Sequence, residues 1–368
     1  MLDDGVCFEG EARGAAREAA GEVVFTTGMA GYQETLSDPS YLGQIVSFTS
    51  AHVGNYGVSP LDDESARFRA AGAVFHDLFT AAEGIPFPHW RAEESLDARL
   101  ARQCVTAIAG LDTRALTLHL REHGARGGII SSLDLDRPSL LRRAGEIPPM
   151  QGQDLAVTAG CRQSYEFSPP LSSRPSHGNR PLMRVAVLDF GVKRSILVHL
   201  ARQGMAVKIW PAVTSAADIL ADAPDGVLLP NGPGDPEPCV QAVNVIRDLL
   251  GRVPLFGICL GHQLLGLALG GRTYKLPFGH HGVNHPVLDL STRRVLITSQ
   301  NHGFCLDPDS LPSRAAPSHW NLNDHTLEGM VVKDAPAFSV QFHPEAVPGP
   351  TEAGILFERF RDLILNAR

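Results

Sequence analysis

Between residues 184 and 258 the sequence alternates short apolar runs with amphipathic stretches. Strand-like apolar runs lie at residues 184–188, 206–210, 226–230 and 253–258, and helical patterns separate them at residues 193–203, 216–220 and 240–251. A strand can be apolar along its whole length only where both faces of its sheet are covered. The alternation therefore predicts an α/β domain with a mostly parallel central sheet that is flanked by helices.

The first part of the chain follows a different pattern. Strand-like runs occupy residues 22–27, 44–50 and 73–75, and residues 113–123 have helical periodicity, with Asp112 or Thr113 as N-cap and Gly124 as C-cap. Residues 163–181 have the Pro, Ser and Gly content of a linker. We therefore predict a mixed α/β domain over residues 1–150, a linker over 151–182 and the second domain over 183–368.

The composition argues against several classes of partner and site. The formal net charge is −8 and no basic block occurs, so we expect no nucleic-acid partner. No run approaches the roughly 18 apolar residues that span a bilayer, and the start lacks the features of a signal peptide. We therefore expect a cytoplasmic protein with no membrane partner. None of the six cysteines forms a CxxC pair, so no zinc or redox motif is predicted.

The strongest chemical signal is GICLG at residues 257–261, which follows an apolar strand and precedes a helical pattern. It is the cysteine form of the strand–elbow–helix turn, in which a strained nucleophile needs small neighbours two residues away. The turn would place Cys259 at a helix N-terminus, which favours a thiolate, and would direct the N–H of Leu260 towards an oxyanion. A buried structural cysteine between two packing glycines is the alternative.

A nucleophilic thiol requires a base that a third group orients. Residues 338–342 alternate as a strand and lead into His343, Pro344 and Glu345. Because residues i and i+2 of an extended chain point the same way, Glu345 can hold one imidazole nitrogen of His343 and leave the other for Cys259. A surface His and Glu at the end of a strand is the alternative.

Three elements together resemble the class I (triad) glutamine amidotransferases. They are NGPGDP at residues 231–236, GICLGHQ at residues 257–263 and HPE at residues 343–345, in the family's order. Further segments are similar to the small subunit of carbamoyl-phosphate synthetases, so the resemblance spans nearly the whole chain. These segments lie at residues 27–34, 38–41, 44–46, 52–55, 111–114, 189–193, 282–286 and 300–304.

The resemblance implies a role for each matching residue. Cys259 would attack the side-chain amide of L-glutamine, His343 would transfer protons, and Glu345 would orient His343. Ammonia would leave, and water would hydrolyse the thioester to glutamate. The N–H groups of Leu260 and Gly234 would form the oxyanion hole. The implied glutamine-contacting residues are Ser40, Gly232, Gly234, Leu260, Gln263, Asn301, Gly303 and Phe304.

The resemblance also implies an obligate partner. The ammonia would pass to a large synthetase subunit, which uses ATP and Mg²⁺ to make carbamoyl phosphate for arginine and pyrimidine synthesis. This chain contains neither a Walker sequence nor GxGxxG, and we expect it to need no cofactor and no metal of its own.

Two alternatives remain. The first is the glutaminase subunit of another amidotransferase, such as one for anthranilate or GMP synthesis, which would lack a domain like that at residues 27–55. The second is a non-catalytic regulatory subunit, against which the intact Cys259, His343 and Glu345 argue.

Three other motifs are set aside. His280, His281 and His285 lack zinc-motif spacing and are assigned to a loop. DFG at residues 189–191 occurs without the other kinase motifs, and residues 231–235 resemble a phosphate loop but lack GK[ST].

The chain also departs from the family at several points. The strand that usually precedes the DG-x-x-F-x-G segment is largely absent, so we expect a short first strand or a shifted start. Ala30, Val283 and Cys305 replace the residues usual at those positions, which we interpret as packing changes.

Overall fold

The computed structural model describes residues 1–80, 89–170 and 183–367, and the chain divides into two compact units. The first comprises Met1–Gln151 with Pro277–Gly282, and the second comprises Gly152–Leu276 with Val283–Arg368. The second unit thus begins inside the linker predicted over residues 151–182, since a short helix and a short strand form between residues 156 and 166. Residues 171–182 of that segment lie outside the described residues.

The first unit is built on a mixed sheet. Its strands are β1 (Glu11–Gly14), β2 (Ala19–Thr26), β3 (Gln44–Phe48), β4 (His52–Val53), β5 (Gly72–Val74), β6 (Asp77–Leu78), β7 (Thr106–Ala109) and β8 (Arg126–Ile130). The six-stranded sheet has the order β1-β7-β5-β3-β2-β8. Its four inner strands are parallel, and the outer strands β1 and β8 pair antiparallel with them. Strands β4 and β6 form a separate parallel pair.

The first unit also shows how local signals define a helix. Its helices are α1 (Tyr32–Ser37), α2 (Leu96–Arg102), α3 (Thr113–His123) and α4 (Arg137–Gly145). Helix α3 has the bounds predicted from its periodicity. The Asp112 carboxylate accepts a hydrogen bond of 2.9 Å from the N–H of Ala115, and Gly124 follows the helix with a φ of 87°. The cap residues therefore fix both ends of α3.

The second unit contains a larger sheet with helices on both faces. Its strands are β9 (Tyr165–Glu166), β10 (Met183–Asp189), β11 (Met205–Pro211), β12 (Gly226–Leu229), β13 (Leu255–Ile258), β14 (Thr273–Asp289), β15 (Arg294–Leu306), β16 (Ala315–Asn321), β17 (Leu327–Val332) and β18 (Ala337–Val340). Its helices are α5 (Ala156–Ala159), α6 (Arg194–Arg202), α7 (Ala216–Ala221), α8 (Val240–Leu249), α9 (Leu260–Leu269) and α10 (Ile355–Ala367).

The five central strands of this sheet are parallel, in the order β18-β13-β12-β10-β11. Alternate residues of β10 face opposite cores. Leu188 packs in a cluster with residues of α7, α8 and α9, whereas Val187 packs in a cluster with residues of α6 and α10. The apolar runs of the sequence are therefore buried on both faces, and the predicted α/β architecture is confirmed.

The antiparallel half of the sheet has no counterpart among the predicted strands. Strands β17, β16 and β14 follow β18 as successive antiparallel neighbours. The loop predicted at His280, His281 and His285 is wrong, because all three residues lie within β14. Pro277 and Gly279 give that stretch a loop-like composition, but strand formation depends more on packing than on local propensity.

Among the helices of the described ranges, none is both long and apolar enough to span a lipid bilayer.

Candidate active site

Cys259 occupies the turn between β13 and α9 in a strained backbone conformation. Its φ is 53° and its ψ is −106°, a combination that residues other than glycine rarely adopt. The N–H of Cys259 donates a 2.9 Å hydrogen bond to the carbonyl oxygen of Val340, the last residue of β18. The turn thus holds the thiol at the N-cap position of α9, where the strand–elbow–helix pattern predicts it.

The glycines on either side of Cys259 are required by close backbone packing. A Cβ atom on Gly261 would lie 1.9 Å from the carbonyl oxygen of Leu229, and one on Gly257 would lie 2.7 Å from that of Gly261. Both distances are far below van der Waals contact. No other residue type fits at either position without a shift of the backbone.

His343 and Glu345 form a buried hydrogen-bonded pair just beyond β18. His343 Nδ1 and Glu345 Oε1 are 2.7 Å apart, and both side chains are almost completely inaccessible to solvent. The N–H of His343 donates to the carbonyl oxygen of Ser299 at 2.9 Å, which fixes the backbone. The contact predicted from the i, i+2 spacing is therefore present.

Lys193 adds a positive charge behind the carboxylate. Lys193 Nζ lies 2.9 Å from Glu345 Oε1 and donates to the carbonyl oxygen of Val347 at 2.6 Å. Burial acts to raise the pKa of Glu345, but Lys193 and His343 outweigh it and hold that pKa well below its usual range. The carboxylate is therefore ionised at neutral pH.

The imidazole of His343 is strongly basic for the same electrostatic reason. Burial acts to lower the pKa of His343, but the Glu345 carboxylate and the interactions with Cys259 outweigh burial and raise the pKa to about 10. His343 Nε2 is buried and makes no hydrogen bond within the described ranges. The side of the ring opposite Glu345 is thus left for proton transfer with the thiol.

The thiol of Cys259 lies next to a backbone carbonyl group. Cys259 Sγ lies 3.5 Å from the carbonyl oxygen of Asn301, in β15, and can donate to it. The Cys259 side chain is only 2% exposed.

The glycine-rich loop after β12 packs against the start of α9. A Cβ atom on Gly232 would lie 2.7 Å from Leu260 Cδ2, so these two predicted site residues are in contact. Gly234 has a φ of +91°, and a Cβ there would lie 2.6 Å from the carbonyl oxygen of Gln153. The N–H of Asp235 also donates to that oxygen, at 3.0 Å. The segment that begins at Gly152 therefore holds the loop in place.

The remaining predicted residues fall in both units. Gln263, one turn into α9, donates a 2.7 Å hydrogen bond to the carbonyl oxygen of Phe304, so the structure brings these two residues together. Gly303 borders open space, because a Cβ there would meet no atom within 4 Å. Ser40 belongs to the first unit, where its N–H donates to the Asp38 carboxylate in the turn Pro39–Tyr41.

Two residues of the site have no predicted role in the sequence. Lys193 is buried beside Glu345, and Gln341 is buried beside Gln263. A single lysine or glutamine next to a motif is a weak signal in one sequence, because most such residues are solvent-exposed. Only the fold shows that they are buried.

Comparisons with known proteins agree with this geometry. The Glutamine amidotransferase class-I family matches residues 186–363. The family described as carbamoyl-phosphate synthase small chain, CPSase domain, matches residues 1–130. The chain is 49% identical to the carbamoyl phosphate synthase small chain of Syntrophotalea carbinolica over 372 residues, which cover 100% of this chain and 97% of that relative. The chain belongs to the carbamoyl phosphate synthase small chain family.

Other members of the family are similarly close. The small chain of Thioalkalivibrio sulfidiphilus is 48% identical, with 99% of this chain and 96% of the relative covered. That of Ralstonia nicotianae is also 48% identical, with 98% and 95% covered. The predicted family is therefore confirmed over the whole length of the chain.

The close packing at the elbow predicts a large effect of the substitution Gly261→Ala. The added methyl group would overlap the carbonyl oxygen of Leu229, so we expect the free energy of unfolding to fall by about 3 kcal/mol or more. Urea denaturation followed by circular dichroism measures this change.

Gly145→Ala is the matched control, because a Cβ at Gly145 would meet nothing within 4 Å. We expect it to leave the stability unchanged or to raise it by up to about 1 kcal/mol. Equal destabilisation by both substitutions would contradict the packing argument.

The raised pKa of His343 predicts how stability depends on pH. Its contribution is fully present below the ordinary pKa of 6.5 and is lost as pH rises towards about 10. The contribution of Glu345 is fully present above its ordinary pKa of 4.5 and is lost as pH falls below it. The stability difference between the wild type and Glu345→Gln should therefore be largest between pH 4.5 and 6.5.

Urea denaturation of both proteins at a series of pH values tests this dependence. The difference should decrease steadily from pH 6.5 towards pH 10. A difference that stays constant over that range would mean that His343 is not charged in the folded protein.

Proposed function

We propose that this chain hydrolyses L-glutamine to glutamate and ammonia as the small chain of a carbamoyl-phosphate synthase. The observation that carries the proposal is the buried grouping of Cys259, His343 and Glu345. Cys259 directly follows β13 and His343 lies just beyond β18, so the group lies at the carboxyl ends of adjacent parallel strands. That edge is where open α/β sheets bind their ligands.

The first half of the reaction forms a thioester. Because the pKa of His343 is raised to about 10, the proton of the Cys259 thiol resides on His343 Nε2, and the thiolate Sγ attacks the side-chain amide carbon of glutamine. The resulting oxyanion is stabilised by the N–H groups of Leu260 and Gly234, since fixed donors stabilise charge that develops in the transition state. The C–N bond then breaks, and His343 returns the proton to the leaving ammonia.

The second half of the reaction restores the enzyme. His343 takes a proton from a water molecule, which attacks the thioester carbon through a second oxyanion. The C–S bond breaks, glutamate leaves, and the thiolate of Cys259 and the protonated imidazole of His343 are restored. Glu345 keeps the imidazole oriented through Nδ1 during both halves, and Lys193 keeps Glu345 ionised.

We assign the remaining predicted residues to glutamine binding. Gln263 lies on α9, the helix that begins directly after Cys259. The other three residues lie on β15, where the carbonyl oxygen of Asn301 is 3.5 Å from Cys259 Sγ; they are Asn301, Gly303 and Phe304. Gly232, with no side chain, lets its loop pack directly against Leu260, and we assign its backbone to substrate binding. We propose Ser40 as a further glutamine-contacting residue.

The ammonia passes to a large synthetase subunit that makes carbamoyl phosphate with ATP and Mg²⁺, for arginine and pyrimidine synthesis. The hydrolysis itself uses only a thiol, an imidazole and a carboxylate, so this chain needs no cofactor or metal for it. All six cysteines are free thiols, and a catalytic thiol stays reduced most readily in the cytoplasm, where we place the protein. Neither nucleic acid nor a membrane takes part.

A glutamine analogue that carries a chloroketone tests the proposal directly. We expect the purified chain to gain one adduct in its intact mass, on Cys259, and excess glutamine should suppress the reaction. The substitution Cys259→Ala should abolish both the adduct and the release of glutamate.

The other cysteines serve as an internal control in that experiment. Cys104 is exposed and Cys7 is partly exposed, yet neither should be labelled in preference to Cys259. Labelling spread over several cysteines, or glutamate release that survives Cys259→Ala, would contradict the proposal.

The roles of the two partner residues predict an order of effects. His343→Asn removes the proton-transfer group and should lower kcat for glutamate release at least about a hundredfold. Glu345→Gln removes an orienting group and should have a smaller effect. Steady-state glutamate release measures both, with ammonia-dependent carbamoyl phosphate synthesis by the complex as the control. A larger loss in Glu345→Gln than in His343→Asn would reverse the assignment.

A further inference from the structure

A hydrogen bond between two buried glutamine side chains lies beneath the proposed glutamine site. Gln263 Nε2 donates to the carbonyl oxygen of Phe304 at 2.7 Å and to Gln341 Oε1 at 3.1 Å. Gln263 is 3% exposed and Gln341 is fully buried. The two acceptors together engage both hydrogens of the Gln263 amide.

These contacts determine which atom of the Gln263 amide is available to a ligand. A rotation that exchanged Nε2 and Oε1 would place an oxygen against two other oxygens, so the observed orientation is enforced. Gln263 Oε1 makes no hydrogen bond within the described part of the chain. Gln263 therefore offers an acceptor, and a ligand must bring a donor to it.

The position of Gln263 indicates which donor that is. The N–H of Gln263 donates to the carbonyl oxygen of Cys259 at 3.2 Å, so the two residues are one helical turn apart, at a spacing of about 5–6 Å. When the amide carbon of glutamine lies at the thiol of Cys259, the rest of the substrate, with its α-carbon, extends away from the thiol. The α-ammonium group is the only strong donor at that end of glutamine.

We propose that Gln341 is a positioning residue that sets substrate specificity. It holds the Gln263 amide so that Oε1 faces the α-ammonium group of glutamine. The inference rests on the proposed function and deepens it, since it concerns how the same site selects an amide that carries an α-amino group.

Stability alone does not account for a glutamine at position 341. Gln341 Nε2 is buried without a hydrogen-bond partner in the described ranges, which costs free energy. Methionine has a similar length and would avoid that cost. Among residues 1–80, 89–170 and 183–367, Gln263 is the one partner with which the Gln341 side chain forms a hydrogen bond. The polar side chain of Gln341 is therefore best explained by its role in orienting the Gln263 amide.

The experiment compares glutamine with 4-carbamoylbutanoate, which is glutamine without its α-amino group. Both amides are offered to the full chain in complex with its large chain, and kcat/KM is measured for release of ammonia. In Gln341→Met we expect kcat/KM for glutamine to fall at least tenfold, mainly through KM. For the analogue, which has no donor for Gln263 Oε1, we expect a change of less than threefold.

Three further variants separate positioning from general destabilisation. Gln263→Met should reproduce the loss of preference for glutamine, and the double variant Gln263→Met/Gln341→Met should show no further loss. Gln341→Glu retains an acceptor for Gln263 Nε2 and should keep the wild-type preference even if Gln341→Met does not fold.

Gln44→Met removes a buried glutamine from the first unit, where Gln44 donates to Glu22, and should leave the preference unchanged.

Specific outcomes would overturn the inference. One is an equal loss of kcat/KM for both amides in Gln341→Met. Another is that the losses of kcat/KM in the two single variants add up in the double variant. A third is that Gln341→Glu loses the preference for glutamine over the analogue. If the wild-type complex released no ammonia from glutamine, the proposed function would fail as well. An active wild type with an unchanged preference in Gln341→Met would overturn the inference alone.

Discussion

The strained turn at Cys259 is the constraint on which the rest of the site depends. A φ of 53° in a non-glycine residue persists only where its surroundings enforce it. Here the enforcement comes from two sides: a hydrogen bond from the Cys259 N–H to the end of β18, and glycines that let the turn pack against Leu229. The same hydrogen bond joins the strand that carries the nucleophile to the strand that leads to His343. Strain and catalytic geometry are therefore maintained by one set of contacts.

The charges of Lys193, Glu345 and His343 depend on one another. An isolated carboxylate at the position of Glu345 would be protonated, because burial disfavours its charged form. Lys193 and His343 reverse that tendency, so Glu345 stays ionised and in turn raises the pKa of His343. A buried charged pair gives little stability by itself. The arrangement is better explained by function, since it fixes the protonation and the orientation of the imidazole that takes part in proton transfer.

Local sequence signals predicted the parts of the molecule in which local chemistry decides the structure. The caps of α3, the apolar strands around β13 and the elbow glycines are all read from a few adjacent residues. The antiparallel strands β14 to β17 were missed, and a loop was predicted at His280 and His281, because packing rather than composition makes that stretch a strand. Lys193 and Gln341 were missed for a related reason: their roles come from neighbours far away in the sequence, Glu345 and Gln263.

The topology explains why so few residues are sufficient for the site. Strands β10, β12, β13 and β18 are parallel neighbours, so the segments that follow them meet at one edge of the sheet. Those segments supply Lys193, Gly232, Cys259 and His343 in that order along the chain. Asn231 ties two of them together, since its side chain accepts from the N–H of Lys193 and donates to the carbonyl oxygen of Gly191. Each catalytic side chain is thus held just beyond the end of a strand, and most of the proposed glutamine contacts lie on two further regular elements, α9 and β15.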